Sequence, residues 1–592
     1  MSDTPAYVYD ALQYRSFFEH EFTYLNGFRR NVARYAAKVA MIDPVTGTEW
    51  TYAQLGAVVE SLAAGLHAHG VTTGDVVAYQ LFNGPEFAQL YLAAQAAGAV
   101  GSPVNFRLAA GETAVILDVS RPRVYVYDTD LTAMVAEAIA RADHTPALLV
   151  GVGGGDLVDG SVSIRWTDLP GAGDVPAPDR GIFDETTRLY TSGTTGMPKA
   201  VPMNSAIEIF SAHDVIMHFP LAPEDRTLNM TPWFHRGGLY CAGPNPTFYL
   251  GSSLVPMRTF DPALTLDWVQ RYRLTFLIGA PTNLAMLAAV QEADPRDLSS
   301  LKGIVTMGAP LEREAALRYQ EVLTPRIFNG YGSTEGFWNT FLRPSDLPEM
   351  AGSAGSACID DDVRVVRVRD DGELADPDDV VARDGSEVGE VIIRSPKCAA
   401  AYYDSPQQEK AKYKGSWLHI GDLATWDGNE FVTIVGRKDD MLISGGENVH
   451  PVQVEEALNG HPDVADSLVV GVPDDRWGQL VVAYVVPAEG ATPTASALDA
   501  YCRSHPMLSQ FKRPRAYRIV DQLPVSATGK KLHYKATESA AREVAAGDFT
   551  PATTRQEQRD DRDDRPQHRT EVRRPRPAEH RPRLLRRRTR RS

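Results

Sequence analysis

Tyr190-Thr-Ser-Gly-Thr-Thr-Gly-Met-Pro-Lys199 is the stretch on which the reading of this chain turns. Hydroxyls and glycines alternate, and a lysine follows Met-Pro. Small residues let main-chain N–H groups approach an anion, hydroxyls add donors and the lysine adds positive charge, so the run reads as a phosphate cradle. Its spacing is not that of the Walker loop G-x-x-x-x-G-K-[ST]. A flexible Ser/Thr/Gly linker is the plainer alternative, but a linker has no need of the lysine. The other glycine cluster, Gly151-Val-Gly-Gly-Gly-Asp156, ends on aspartate where the dinucleotide fingerprint needs a small residue, and reads as a turn.

On the N-terminal side of the cradle, helical and extended patterns alternate. Thr51 and Gln54 stand at capping-box spacing, and Leu55, Val58, Val59, Leu62 and Leu66 follow at helical intervals before Gly70. Residues 76–82 read as a buried strand, Asn83-Gly-Pro85 opens a second helix, and 124–127 and 148–152 read as further strands. Alternation of this kind predicts an α/β sheet with both faces covered. Toward the other end, 390–394 and 431–435 read as short strands, 452–458 as a short helix, and 467–472 and 481–486 as strands again. A chain of 592 residues exceeds one core, so at least two packed domains are expected, with a boundary near Gly436-Arg-Lys-Asp439.

Composition narrows the function classes. The apolar fraction of 43% and charged fraction of 23% are those of a globular protein. A net charge of −16 argues against nucleic-acid and anionic-membrane partners. Residues 551–592 run against that balance, with 15 Arg, no Lys and 7 acidic residues, and hold too few apolar groups to bury a core. They are expected to be a disordered tail, or an out-of-frame extension. Cys241, Cys358, Cys398 and Cys502 form no CxxC pair and read as isolated reduced thiols. Residues 1–10 carry no signal-peptide pattern, and the small apolar stretch 91–104 is too short to span a bilayer, so a cytoplasmic location is expected.

Further runs follow in order: Thr231-Pro-Trp-Phe-His-Arg-Gly-Gly238, Gly308-Ala-Pro310, Asn329-Gly-Tyr-Gly-Ser-Thr-Glu-Gly336, Trp417-Leu-His-Ile-Gly-Asp422, Gly436-Arg-Lys-Asp-Asp440, Ser444-Gly-Gly-Glu-Asn448 and Leu523-Pro-Val-Ser-Ala-Thr-Gly-Lys530. With the cradle they resemble, motif for motif over residues 25–540, the acyl-adenylate-forming superfamily, and look closest to its aryl- and acyl-CoA ligases. The resemblance implies a large N-terminal multi-sheet α/β domain (1–436), a small mobile α+β C-terminal domain (437–545) and the tail (546–592). It implies adenylation of a carboxylic acid by ATP, then thioester formation with coenzyme A.

By that resemblance, Thr191, Ser192, Gly193, Thr194, Thr195, Gly196 and Lys199 cradle the β- and γ-phosphates. Gly308, Ala309 and Pro310 form the adenine loop, Tyr331 packs on the adenine, Asn329 and Gly332 also bind ATP, Asp422 takes the ribose hydroxyls, and Arg437 serves both ATP binding and catalysis. Thr334 bonds the α-phosphate and Glu335 holds Mg2+, a hard ion suited to carboxylate and phosphate oxygens. Lys530 bridges the carboxylate and the α-phosphate, and rotation at the hinge Asp439 then withdraws it. Trp233, Phe234, His235, Tyr240, Phe337 and Trp338 offer aromatic walls suited to a small aromatic or alicyclic acid. His235 stands where amino-acid-activating relatives carry aspartate, which disfavours an α-amino acid. Ser444, Gly445, Gly446, Trp477, Phe511, Arg513 and Arg515 resemble the CoA-contacting stretches of aryl-CoA ligases. The alternative is an adenylating enzyme without CoA: a diazotase-like ligase activating nitrite, or a loader of carrier proteins. A homodimer is compatible with either.

Overall fold

The computed structural model describes residues 11–160, 162–192, 198–308, 311, 313–369, 373–399, 401–438, 442–449, 451–524 and 533–552. The expectations for Gly193 to Gly196, Ala309, Pro310, Asp439, Lys530 and the arginine-rich tail beyond 552 lie outside the described residues.

Among the described residues four sheets carry the fold. One has seven strands in the order Ser163–Arg165, Leu148–Val152, Val124–Asp128, Val76–Gln80, Val100–Pro103, Glu185–Ser192, Pro198–Asn204, and all but the last pairing are parallel. A second, of nine strands, has a parallel centre through Arg226–Asn229, Phe276–Gly279, Gly303–Met307 and Ile327–Ser333, with Phe337–Leu342 antiparallel beside the last. Val76–Gln80, Val124–Asp128 and Leu148–Val152 are buried throughout, as continuous apolar strands between helical layers must be.

Local chemistry sets the helices. Thr51 Oγ1 accepts from the Gln54 N–H at 3.2 Å while Gln54 Oε1 accepts from the Thr51 N–H at 2.8 Å, so the predicted capping box starts Tyr52–Ala68. Pro85 at the first position opens Pro85–Ala96, as read from the sequence. The apolar side of Ser205–His218 packs in the large core with Trp233 and Tyr240.

An antiparallel sheet, Asp362–Val366, Gly389–Arg394, Trp417–Trp426 and Val432–Arg437, follows in the chain. Beyond it lies a small α+β body: Val464–Asp474 and Gly478–Pro487 form its long hairpin, Ala516–Ile519 pairs parallel to the latter, and Pro451–Asn459 and His533–Ala546 pack on Val464–Asp474. This body continues past the sequence boundary at 545. Thr550–Pro551 pairs with Ala516–Ile519, and Phe549 and Ala552 are buried in its core. The expected domain boundary at 545 therefore falls short by the segment 546–552. The four cysteines are unpaired. Among the described residues no helix is long and apolar enough to cross a membrane.

Candidate active site

The cradle, the Thr231 run, Gly308 and the Thr334–Glu335 turn each follow the carboxyl end of a strand in the two large sheets, while Trp417–Asp422 lies on a strand of the antiparallel sheet. In open α/β sheets such ends frame the ligand crevice. Glu185–Ser192 and Pro198–Asn204 form the hairpin of the cradle, with Thr191 opposite Lys199 and Ser192 opposite Pro198. Gly308 follows Gly303–Met307 with φ of +86°, a turn that glycine adopts without strain. Asn329, Tyr331 and Gly332 lie on Ile327–Ser333, and Thr334 and Glu335 form the turn into Phe337–Leu342.

Glu335 is held from the side. Tyr402 donates its hydroxyl to Glu335 Oε1 at 2.5 Å, and the Lys199 ammonium lies 5.8 Å from the centre of the Tyr402 ring. Burial and the neighbouring Glu335 push the Tyr402 hydroxyl pKa well up, so it stays a donor. One tyrosine thus links the cradle lysine to the carboxylate expected to hold Mg2+. On the other side Tyr331 donates its hydroxyl to Asp422 Oδ2 at 2.7 Å, and Asp422 stands opposite Arg437 in strand register.

Beneath the turn lies Arg236, 2% exposed. Its Nη1 donates to the carbonyls of Thr334 at 2.7 Å and Glu335 at 2.9 Å; its Nη2 donates to the Lys397 carbonyl at 2.6 Å and to Ser211 Oγ at 3.3 Å. Burial lowers its pKa. The guanidinium also lies 5.3 Å from the centre of the Phe337 ring and 5.5 Å from that of Tyr240. The fork geometry of arginine suits this bracing of several carbonyls at once.

The aromatic residues divide. Trp233 and Tyr240 are fully buried; Trp233 meets Phe87 edge-on at 5.5 Å, and Tyr240 donates to Glu208 Oε1 at 3.1 Å. Phe337 and Trp338 stack with centroids 5.1 Å apart, and both belong to the same core cluster. Phe234 lies between His235 at 4.2 Å and Phe106 at 5.2 Å. His235 has a polar partner in the small body: its Nε2 is 3.1 Å from Glu447 Oε2.

Residues 28–403 match the AMP-binding enzyme family, and residues 453–530 match the AMP-binding enzyme C-terminal domain. The chain belongs to the AMP-binding enzyme family. It is an AMP-forming acid–thiol ligase. A feruloyl-CoA synthase from Amycolatopsis sp is 35% identical over 489 residues, covering 82% of this ligase and 93% of that protein. An indoleacetate–CoA ligase from Aromatoleum aromaticum is 34% identical over 484 residues, covering 81% and 91%. The o-succinylbenzoate CoA synthetase of Bacillus subtilis, 26% identical, superposes with a TM-score of 0.75 as a double mutant bound to its product analogue OSB-NCoA, covering 87% and 98%. The same enzyme in complex with AMP superposes at 0.61, covering 86% and 97%.

In the ligase the turn Ser444 to Glu447 meets the large body at Arg107 and His235. Glu447 is buried, and Arg107 Nη1 donates to its Oε1 at 2.5 Å while His235 faces its Oε2. Burial alone would raise the Glu447 pKa; His235 and Arg107 outweigh it and hold the carboxyl below its ordinary range. Gly445, at φ of +60°, donates its N–H to the Trp477 carbonyl at 2.7 Å, and a Cβ there would press on the indole at 3.0 Å. Arg476 and Arg515 lie 4.7 and 5.0 Å from the centre of that indole. Phe511 is partly buried against the small core. Arg513 is turned inward, 3% exposed, donating to the Asp499 carboxylate, and is not gathered with Arg515 at the surface.

Sequence reasoning assigned no role to Tyr402, Arg236, Arg107 or Glu447. Arg236 and Glu447 stood inside quoted motifs; what exposes their work is partners far along the chain.

Proposed function

We propose that the ligase activates a ring-bearing carboxylic acid with ATP and transfers the acyl group to coenzyme A. The observation that carries this reading is the seating of the Ser444–Glu447 turn at His235 and Arg107, which brings Gly445 and Gly446, in a stretch that resembles the CoA-contacting loops of aryl-CoA ligases, against the large body. The better superposition on the product-analogue complex than on the AMP complex of one bacterial synthetase supports the same orientation. The aromatic substrates named for the relatives support a ring-bearing acid.

In this reading Lys199 meets the departing pyrophosphate, Thr334 bonds the α-phosphate and Asp422 the ribose. Arg236 fixes the peptides that present Thr334 and Glu335, so no reorganisation is needed as charge develops on the phosphate. Glu335, oriented by Tyr402, fits a magnesium ion: it is a partly exposed hard carboxylate beside the phosphate cradle. Magnesium, when bound, neutralises phosphate charge. Lys530 is assigned the adenylation step by resemblance, and Trp477, Phe511 and Arg515 the nucleotide end of CoA.

The test is AMP and pyrophosphate release over hydroxycinnamic, indoleacetic, benzoic, alicyclic and fatty acids, each with and without CoA. The expected result is a thioester mass with a ring-bearing acid only when CoA is present. AMP release that ignores CoA and yields no thioester would overturn the reading.

A further inference from the structure

A buried carboxylate sits where the two bodies of the ligase meet. Glu112 is the third residue of the helix Ala110–Ser120, and its Oε2 accepts from the Ala109 N–H at 3.0 Å, closing the first turn. A carboxylate at that position ordinarily faces water. This one is 1% exposed, because the small body covers it. Lys512 Nζ donates to Oε1 at 2.5 Å and Gln453 Nε2 donates there at 3.3 Å, while the Ser509 hydroxyl donates to Oε2. Lys512, 3% exposed, also donates to Gln453 Oε1 at 2.9 Å.

The backbone around this pair is fitted just as closely. The Gly111 N–H donates to the Pro506 carbonyl at 3.2 Å. A Cβ on Gly111 would stand 2.5 Å from Met507 Sδ and 2.7 Å from Pro506 O, so only glycine admits the contact. Arg107, five residues before Glu112, holds Glu447. One short stretch of the large body therefore receives the small body at two charged points: Glu447 on Arg107, and Lys512 on Glu112.

An ion pair stripped of water is costly to form and costlier to break on one side, which makes it a poor general stabiliser but a strong register. Here the pair is buried only while the bodies are docked. The geometry points to Glu112 as a positioning residue for the thioester-forming step: paired with Lys512, it selects the orientation that seats the Ser444–Glu447 turn at His235. This rests on the proposed two-step reaction with a moving small body. It adds a residue whose loss separates the two steps, since among the described residues the side-chain hydrogen bonds of Glu112 and Lys512 run to Ala109, Gln453, Ser509 and each other.

The experiment uses the full chain with Lys512→Met, Glu112→Gln and the double variant. Glu112→Gln keeps an acceptor for the Ala109 N–H, and Lys512→Met leaves that cap untouched. Hydrogen–deuterium exchange without ligands reads docking directly in peptides covering 105–112 and 506–515. Lys512→Met is expected to exchange roughly tenfold or more faster in both segments, with the double variant recovering toward wild type because no unpaired charge remains buried. In kinetics with ferulate as probe, Lys512→Met should form thioester from preformed feruloyl-AMP about tenfold or more slowly, with ATP–pyrophosphate exchange within about twofold of wild type. Unchanged deuterium exchange in Lys512→Met, or equal loss of both half-reactions, would overturn the assignment. A wild-type chain that forms no thioester from feruloyl-AMP or from any other adenylate in the acid panel would instead sink the proposed function and leave the deuterium-exchange arm to decide the latch.

Discussion

Arg236 is the residue whose removal should expose how the adenylation turn is held. Its guanidinium donates to three main-chain carbonyls and one hydroxyl at 2.6 to 3.3 Å, inside a core where it is 2% exposed. Each charged donor to a buried acceptor contributes about 1.5–3 kcal/mol net, and acceptors left bare cost about 1–3 kcal/mol each. Burying the cation opposes this, so the net loss for Arg236→Met is set at about 3 kcal/mol rather than the sum. The catalytic loss has a separate origin. Releasing the Thr334 and Glu335 carbonyls frees the turn that presents both side chains, and misplacement by about 1 Å costs on the order of 100-fold. We expect acid-dependent ATP–pyrophosphate exchange to fall about 100-fold in kcat, with a smaller change in KM for the acid. Arg236→Lys keeps the charge but not the fork, and should fall in between. Denaturant unfolding run in parallel separates loss of fold from loss of position. If Arg236→Met keeps kcat within threefold of wild type while remaining folded, the bracing argument is wrong.

Tyr402→Phe removes the 2.5 Å bond to Glu335; it should raise the magnesium concentration for half-maximal exchange up to about tenfold, the equivalent of one hydrogen bond, with little change in stability. Burial lifts the Glu208 pKa from its ordinary 4.5 to about 7, against hydrogen bonds from Thr187 and Tyr240 that lower it. A carboxyl raised in the fold contributes stability that is complete below about pH 4.5 and is lost as pH rises through about 7. Glu208→Gln, which cannot ionise, should therefore gain about 3 kcal/mol on wild type between pH 5 and pH 9; parallel unfolding curves at the two pH values would refute this. A chain ending at residue 552 should keep both half-reactions. One ending at 545 loses Phe549, packed edge-on to Tyr484 at 5.0 Å, and should destabilise the small body by about 3–5 kcal/mol in unfolding experiments.

What was legible in the sequence was local. The capping box at Thr51 and Gln54, the proline opening Pro85–Ala96 and the paired runs that became Val464–Asp474 and Gly478–Pro487 all declare themselves within one turn or one strand. The motif loops are legible for the same reason: a phosphate cradle needs its glycines, hydroxyls and lysine close together in the chain. The supports are not. Tyr402 lies 67 residues from the carboxylate it orients, and Arg236 braces carbonyls 98, 99 and 161 residues away. Phe549 fell outside the expected small domain because one buried aromatic and a two-residue strand leave no periodic pattern in the sequence.

Glu112 shows why such supports escape notice. An acidic residue at the third position of a helix is fully explained by the cap it makes, and nothing near it asks for a second partner. The partner comes 400 residues later, in a basic run whose plain reading is a solvated turn. Each charge taken alone has an adequate surface explanation. Only their joint burial removes it, because a lysine and a glutamate both withdrawn from water need each other in a way that neither sequence context records. Residues that act between bodies are thus the ones a linear reading assigns to solvent, and in this ligase they occupy the face on which docking of the small body depends.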